Sequence, residues 1–393
     1  MSNVGKLWKI TGTATVLVLL AVGGWLFFRA NKPVQQTGTS IQFAPTTAAE
    51  GQFARAEGLR EFSFPLDHGP HPDFQTEWWY YTGNLQTVEG RRFGYELTFF
   101  RRALTPQPES ADDGSDWRTS QVYLAHFALS DIETQDFHYQ EKISRGAAGL
   151  AGSKGAPVYE VWLEDWSVRE VGADRYALSA NTEGYGLELE LMDVKGSILQ
   201  GNHGYSQKGV EAGNASYYTS QTRLESSGKL RIGEDTLNVS GLSWMDHEFS
   251  TSALSVGQVG WNWFAIQLDD GSELMLFTLQ REDGSLDSFN AGTIIEKDGT
   301  TRTLGSADFK INVRETWRSP YSGAEYPAGW EITIPNEGIR LNINPLMPDQ
   351  ELNTFITYWE GAVEIQGDRS GVPVSGFGYV ELTGYAESMQ GKF

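Results

Sequence analysis

Apolar residues recur at every second position in run after run of this chain: RRFGYELTFFRR, QVYLAHFALSD, YEVWLEDWSVRE, RYALSA, YGLELELMD and KLRIGEDTLNVSGLSW. A spacing of two puts successive side chains on opposite faces of an extended strand, so each run can bury one face and wet the other. Turn sequences such as VEGR and EDGS separate the runs and leave no room for crossover helices. That pattern predicts antiparallel meanders, closed into barrels or packed as sandwiches. The 44 glycines suit the turns, and 13 Trp, 16 Tyr and 20 Phe suit the strands. The same grammar resumes after Thr251 with GWNWFAIQLDDGSELMLFTLQREDGS, whose Asp-Asp-Gly turn predicts a hairpin with a two-residue connection. It continues to GFGYVELTGY. The halves 62–250 and 251–393 are each of a size that one barrel can use. The expected fold is all-β, with two antiparallel β-barrel domains at those boundaries.

Ahead of the strands, residues 10–28 (ITGTATVLVLLAVGGWLFF) carry no charge, with Lys6 and Lys9 before them and Arg29 and Lys32 after. A helix rising about 1.5 Å per residue over that length just crosses a hydrocarbon layer of about 30 Å. The following WLFFRANKP offers no small-x-small cleavage site, which favours an uncleaved anchor over a signal peptide. The sequence therefore predicts an N-terminal transmembrane helix or signal segment over 1–31 and a polar linker over 32–61. The body would be membrane-anchored or secreted, facing the periplasm or cell exterior. The net charge is −21, and the first 34 residues hold four basic residues and no acid, so the body is more acidic still. Phosphate backbones would repel it, which argues against a nucleic-acid partner. With no cysteine, disulfides and thiolate chemistry are absent.

The stretch LSWMDHEFS, residues 242–250, sets Trp244, Asp246 and Glu248 on one strand face and His247 on the other. Side chains pointing apart cannot all chelate one ion without a bulge, and no HExxH helix or EF-hand spacing occurs. Neither a metal nor another cofactor is expected. A GxSxG elbow in a strand-turn-helix setting is missing as well. What remains is acid-base chemistry in an aromatic cavity. An aspartate kept from water beside Trp244 has a raised pKa and can donate a proton near neutrality. A cation formed on an alkene or another weak base would be stabilised by aromatic faces, each worth roughly 0.5 to 2 kcal/mol. Asp246 is thus the expected acid, with His247 and Glu248 as its catalytic neighbours and Trp244 beside it.

Upstream, EWWYYTG puts Glu77, Trp79 and Tyr81 on one face and Trp78 and Tyr80 on the other. A glutamate on an aromatic face needs a partner or a ligand, so Glu77, Trp79 and Tyr81 join the candidate binding set. His126 in YLAHFALSD, Tyr217 and Tyr218 in NASYYTSQTRL, and Trp261 and Trp263 in GWNWF complete it. The competing reading of WMDHE is a structural polar cluster joining the two domains.

Taken together, FPLDHGPHPDFQTEWWYYTGNL, YYTSQTRL, GLSWMDHEFS, GWNWFAIQLDDGSELMLF and YWEGAVEIQG with GFGYVELTGY resemble the AttH-like predicted secreted hydrolases related to carotenoid 1,2-hydratase. The matches run in order over nearly the whole body from Phe62 onward. The resemblance implies two lipocalin-like barrels with a pocket between or inside them. It implies an aspartate acid two residues after an aromatic, at Trp244-Met245-Asp246. An upstream histidine-tryptophan pair of the hydratases falls in the region of Tyr217 and Tyr218, where neither residue is found. Certain fungal pericyclases resemble the same fold, and relatives are often associated with ABC-type exporters. Two functions follow as expectations: a hydratase or hydrolase acting by acid catalysis on a hydrophobic small molecule, or a non-catalytic carrier of such a ligand serving an exporter.

Overall fold

The computed structural model describes residues 53–106, 119–252 and 254–392. The expected transmembrane helix lies outside the described residues. Within them the protein is all-β, with two short 3-10 turns, Leu66–His68 and Pro335–Glu337. The first part of the chain supplies β1 (Thr76–Gln86), β2 (Arg92–Ala103), β3 (Gln121–Asp131), β4 (Asp136–Arg145), β5 (Ala151–Lys154), β6 (Glu160–Leu163), β7 (Trp166–Gly172), β8 (Arg175–Asn181), β9 (Tyr185–Asp193), β10 (Ser197–Leu199), β11 (Tyr205–Gln207), β12 (Ala215–Ile232) and β13 (Asp235–Ser250). These form one 13-stranded antiparallel sheet in which β1 pairs with both β2 and β13.

The remainder supplies β14 (Gln258–Leu268), β15 (Glu273–Arg281), β16 (Ala291–Ile295), β17 (Thr301–Gly305), β18 (Lys310–Arg318), β19 (Glu325–Ile334), β20 (Ile339–Pro345), β21 (Glu351–Asn353), β22 (Thr357–Arg369) and β23 (Val372–Leu382). They form a 10-stranded sheet in which β23 lies between β14 and β22. Both sheets are barrel-like. The β14–β15 hairpin differs from the two-residue expectation: Gln267 pairs with Glu273, and Leu268 N–H donates to Ser272 O. Gly271, at φ +87°, supplies the left-handed residue. The Asp270 carboxylate accepts from both the Ser272 backbone N–H and its hydroxyl, which widens the turn.

Alternation decides what fills each barrel. Trp79, Tyr81, Phe93, Tyr95, Leu97, Phe99, Tyr123 and Phe127 fill the first. Phe264, Ile266, Trp330, Ile332, Trp359 and Val363 fill the second. The opposite faces of the same strands are buried too: Tyr80, Tyr218, Trp244, Trp263, Phe277 and Tyr379 form a third apolar cluster where the sheets face each other. Strand β1 and the second half of β13, residues 243–250, are therefore sandwiched, which explains their nearly continuous burial. The approach is close at Gly94, where a Cβ would stand 2.5 Å from Ala362 Cβ. Within the stretch read as linker, Phe53 and Ala56 are buried, and Ala54 N–H donates to Asp73 O at 2.9 Å.

Candidate functional site

Two rows of cross-strand partners build the site. Residues directly opposite each other in an antiparallel ladder point to the same face. In the first sheet one such row reads Ser220, Asp246, Tyr80, Thr98, His126 and Glu141 across β12, β13, β1, β2, β3 and β4. In the second it reads Phe277, Trp263, Glu381 and Glu360 across β15, β14, β23 and β22. The rows face each other and are joined by hydrogen bonds. Trp263 Nε1 donates to Tyr218 OH at 3.0 Å, and Tyr218 OH in turn donates to Asp246 Oδ2. Tyr80 OH donates to Glu360 Oε2 at 2.6 Å.

Between them lies a cavity of about 150 Å³ lined by Trp78, Tyr80, Phe100, Trp261, Trp263 and Phe277, with Asp246, Glu248, Glu381 and Lys208 as its charged members. A cavity of that size takes roughly one benzene-sized ring. Asp246 is 3% exposed. Its Oδ1 accepts from Trp244 Nε1 at 2.7 Å and from Ser220 Oγ at 2.5 Å. Burial pushes its carboxyl up to about 7 against these donors, and the neighbouring Glu248 adds to the rise. Glu381 is likewise pushed up to about 7 by burial, although Trp261 Nε1 donates to it at 2.7 Å. Lys208 Nζ stands 3.2 Å from Glu248 Oε1 and 3.9 Å from the Phe277 ring centroid. The cavity therefore combines a proton donor poised near neutrality, an ion-paired carboxylate and flat apolar walls.

Of the residues singled out from sequence, Asp246, Glu248, Tyr218, Trp261 and Trp263 line this cavity, and Trp244 lies behind Asp246. His247, Glu77, Trp79 and Tyr81 do not. They point to the other face of β13 and β1, into the first barrel. There Glu77 Oε1 meets His247 Nε2 at 2.8 Å and His71 Nδ1 at 2.9 Å, and Glu77 Oε2 accepts from Arg101 Nε at 2.8 Å. Trp79 stacks on His247 at 5.0 Å, and Tyr81 OH shares a hydrogen bond with Tyr159 OH. Burial works against the Glu77 carboxylate, but Arg101 and then the two histidines hold it well below the usual range. Burial lowers His247, while hydrogen bonds to Asp67 and Glu77 overcome burial and raise His71.

The ligand atoms of His71, Glu77 and His247 lie within 4.8 Å of one another, a spacing that a metal could use. Arg101, fully buried, pairs with Glu77, and both imidazoles hydrogen-bond the same carboxylate. Tyr217 also misses the cavity: its hydroxyl donates to Gly58 O, and its ring packs against Phe74 and Phe249. His126 sits between the sheets but outside the cavity lining, with Nδ1 2.6 Å from Tyr358 OH and Nε2 2.9 Å from Glu141 Oε2.

Trp78, Tyr80, Lys208, Phe277 and Glu381 are cavity residues that the sequence reading did not select. For Trp78 and Tyr80 the signal was present, since alternation sets them on the face opposite Glu77. The charged face drew the choice, and its charge proved to be answered by Arg101. Glu381 had the weaker signal of an acid at period two with Tyr379. Lys208 comes from the glycine-rich segment before β12 and had none.

The AttH-like family model matches residues 55–385. The structure is similar to the crystal structure of an AttH candidate from Nitrosomonas europaea, with 34% identity and a TM-score of 0.76, covering 85% of this chain and 99% of that one. It is also similar to kievitone hydratase from Nectria haematococca, with 14% identity and a TM-score of 0.64, covering 87% of this chain and 98% of that one, a likeness of fold. No curated protein matches this sequence. From the family match over most of the chain and the extended identity to the Nitrosomonas protein, this chain belongs to the AttH-like family.

Proposed function

We propose that the cavity catalyses acid-assisted addition of water to a hydrophobic small molecule, or hydrolysis where the protonated atom is a leaving group. The observation that carries this reading is the enclosed Asp246 carboxyl, its pKa pushed up to about 7, on the wall of a ring-lined hollow. In the hydration form, the Asp246 O–H bond breaks as its proton joins an alkene carbon. The faces of the surrounding rings stabilise the cation that results. Glu248, held by Lys208, orients the water, whose oxygen closes the new C–O bond as one of its O–H bonds breaks and that proton passes to an ionised carboxylate of the cavity wall. The single-ring volume means that the reacting end of the substrate enters while the rest extends through the mouth. Kievitone hydratase, whose name describes a hydration, shares the fold; the reading here rests on the acid and its surroundings.

The test is incubation of wild-type protein and Asp246→Asn with a lipid extract in isotopically labelled water, followed by mass spectrometry. A labelled water adduct should form with wild type and fall at least ~100-fold with the variant, while ligand co-purification is retained. Equal labelling by both proteins would remove Asp246 from the acid role. Ligand retention with no labelling by either would leave the carrier reading in its place. The proposal also includes a membrane tether over residues 10–28, a body outside the cytoplasm and an ABC-type exporter as the partner that delivers or receives ligand. Carbonate extraction at high pH should leave the full chain with the membrane; its release would remove the tether.

A further inference from the structure

Glu360 is fully buried one strand away from the cavity and directly opposite Glu381 across the β22–β23 ladder. Both side chains therefore rise from the same face, a spacing at which two like charges repel. Tyr80, on the cavity wall, donates to Glu360 Oε2 at 2.6 Å. The other oxygen, Oε1, has no hydrogen-bond partner among the described residues, and neither has Oε2 of the equally buried Glu96, whose Oε1 accepts from Thr98. A buried carboxylate oxygen without a donor is a costly arrangement, whereas a neutral carboxyl is not.

The groups that bear on Glu360 are Tyr80 from β1, Glu96 from β2, Glu381 and Tyr379 from β23, and, along its own strand, Tyr358, which leads to His126 and Glu141. All but His126 are acids or phenols. The lysine of the cavity, Lys208, is paired instead with Glu248. Burial and the neighbouring carboxyls Glu381 and Glu96 raise Glu360 well above the usual range, in agreement with the geometry.

We propose that Glu381 and Glu360 form a carboxyl dyad holding one proton between them, with Glu381 as the cavity-facing base of the reaction and Glu360 as the enclosed residue that positions and tunes it. This deepens the reading of Asp246 as the acid and rests on it. In the reactive state the proton of the dyad sits on Glu360, Glu381 is ionised and Asp246 is protonated; with the last two both pushed up to about 7, molecules in this state are present at neutrality. When water attacks, one water O–H bond breaks, its oxygen bonds to the substrate carbon, and the released proton goes to Glu381. The dyad then carries two protons and Asp246 none. Return of one proton to Asp246, whose cross-strand neighbour Tyr80 also hydrogen-bonds Glu360, closes the cycle with no proton consumed.

The test is infrared spectroscopy of the carboxylic C=O stretch during a pH titration of the full chain. It needs no substrate. Asp246→Asn combined with Glu96→Gln supplies a background from which the other strongly raised acids beside the dyad are removed. There the dyad should titrate in two separated steps, with a protonated carboxyl persisting above neutral pH. Glu360→Gln and Glu381→Gln, each in that background, should abolish the upper step and leave a single intermediate one. A role in packing alone would shift the unfolding midpoint and leave the titration of the remaining glutamate unmoved, and that result would overturn the proposal. Loss of the high-pH carboxyl band already in the background protein would do the same. Failure of the Asp246 reading is distinguishable, because it appears as undiminished labelling by Asp246→Asn while the two-step titration persists.

Discussion

Asp246 owes its high pKa to burial, and its hydrogen bonds pull the other way, since Ser220, Tyr218 and Trp244 all donate to the ionised form. Replacing Tyr218 with Phe removes one of those donors without opening the cavity. The Asp246 pKa should then move further above 7, read by side-chain carboxyl NMR, at a stability cost of about 1 to 3 kcal/mol. An unchanged or lowered value would show that Tyr218 does not govern the acid. Glu77 is the reverse case. Arg101 lies directly opposite it on β2 and is fully buried with it, so Glu77→Leu strands an enclosed guanidinium. The expected loss is about 3 to 5 kcal/mol in urea unfolding; a loss below about 1 kcal/mol would mean that Arg101 finds another partner. The sequence posed the right question about Glu77, that a glutamate among rings needs a partner. It could not name Arg101, because the pairing depends on the β1–β2 register.

At the level of elements, the site exists because β1 and the second half of β13 are covered on both faces. The barrel face carries Glu77 and His247, and the cavity face carries Tyr80 and Asp246. The alternation in WMDHE made this division of Asp246 from His247 legible in advance. Which face would meet a ligand was not legible, because both strands are apolar and aromatic on either side. The join between the sheets depends on close backbone approach at Gly94, where a Cβ would stand 2.5 Å from Ala362 Cβ. Gly94→Leu should wedge β2 from β22, lower stability by roughly 1 to 3 kcal/mol and weaken the nearby Tyr80–Glu360 contact. Thermal unfolding checks the first effect, and the Glu360 infrared band checks the second. A variant with unaltered unfolding would show that the sheets can part at no cost.

For the whole molecule, the buried acids set the pH dependence of stability. Asp246 and Glu381, both at about 7 when folded, and Glu360 and Glu96, further raised, bind protons more tightly in the folded than in the unfolded state. Their contribution is fully present below the unfolded carboxyl range near 4 and is lost as pH rises through 7 and beyond. For Asp246 alone this amounts to about 4 kcal/mol. Asp67, lowered to about 2 because the hydrogen bond to His71 and the other polar contacts outweigh burial, and the depressed Glu77 act oppositely and lose stability as pH falls below 4. Urea unfolding from pH 4 to 9 should therefore give a maximum on the acidic side of neutrality. Asp246→Asn should flatten the alkaline slope, and an unchanged slope would mean that Asp246 ionises normally.

What the sequence determined by itself was whatever local periodicity encodes: the all-β class, the turns between strands, and the opposition of Asp246 to His247. Only the tertiary structure decided that Asp246 would be enclosed, that Arg101 would answer Glu77, and that Glu360 would stand beside Glu381. Each of these depends on a register or on a second sheet remote in the chain, and burial by a distant surface leaves no trace in local spacing.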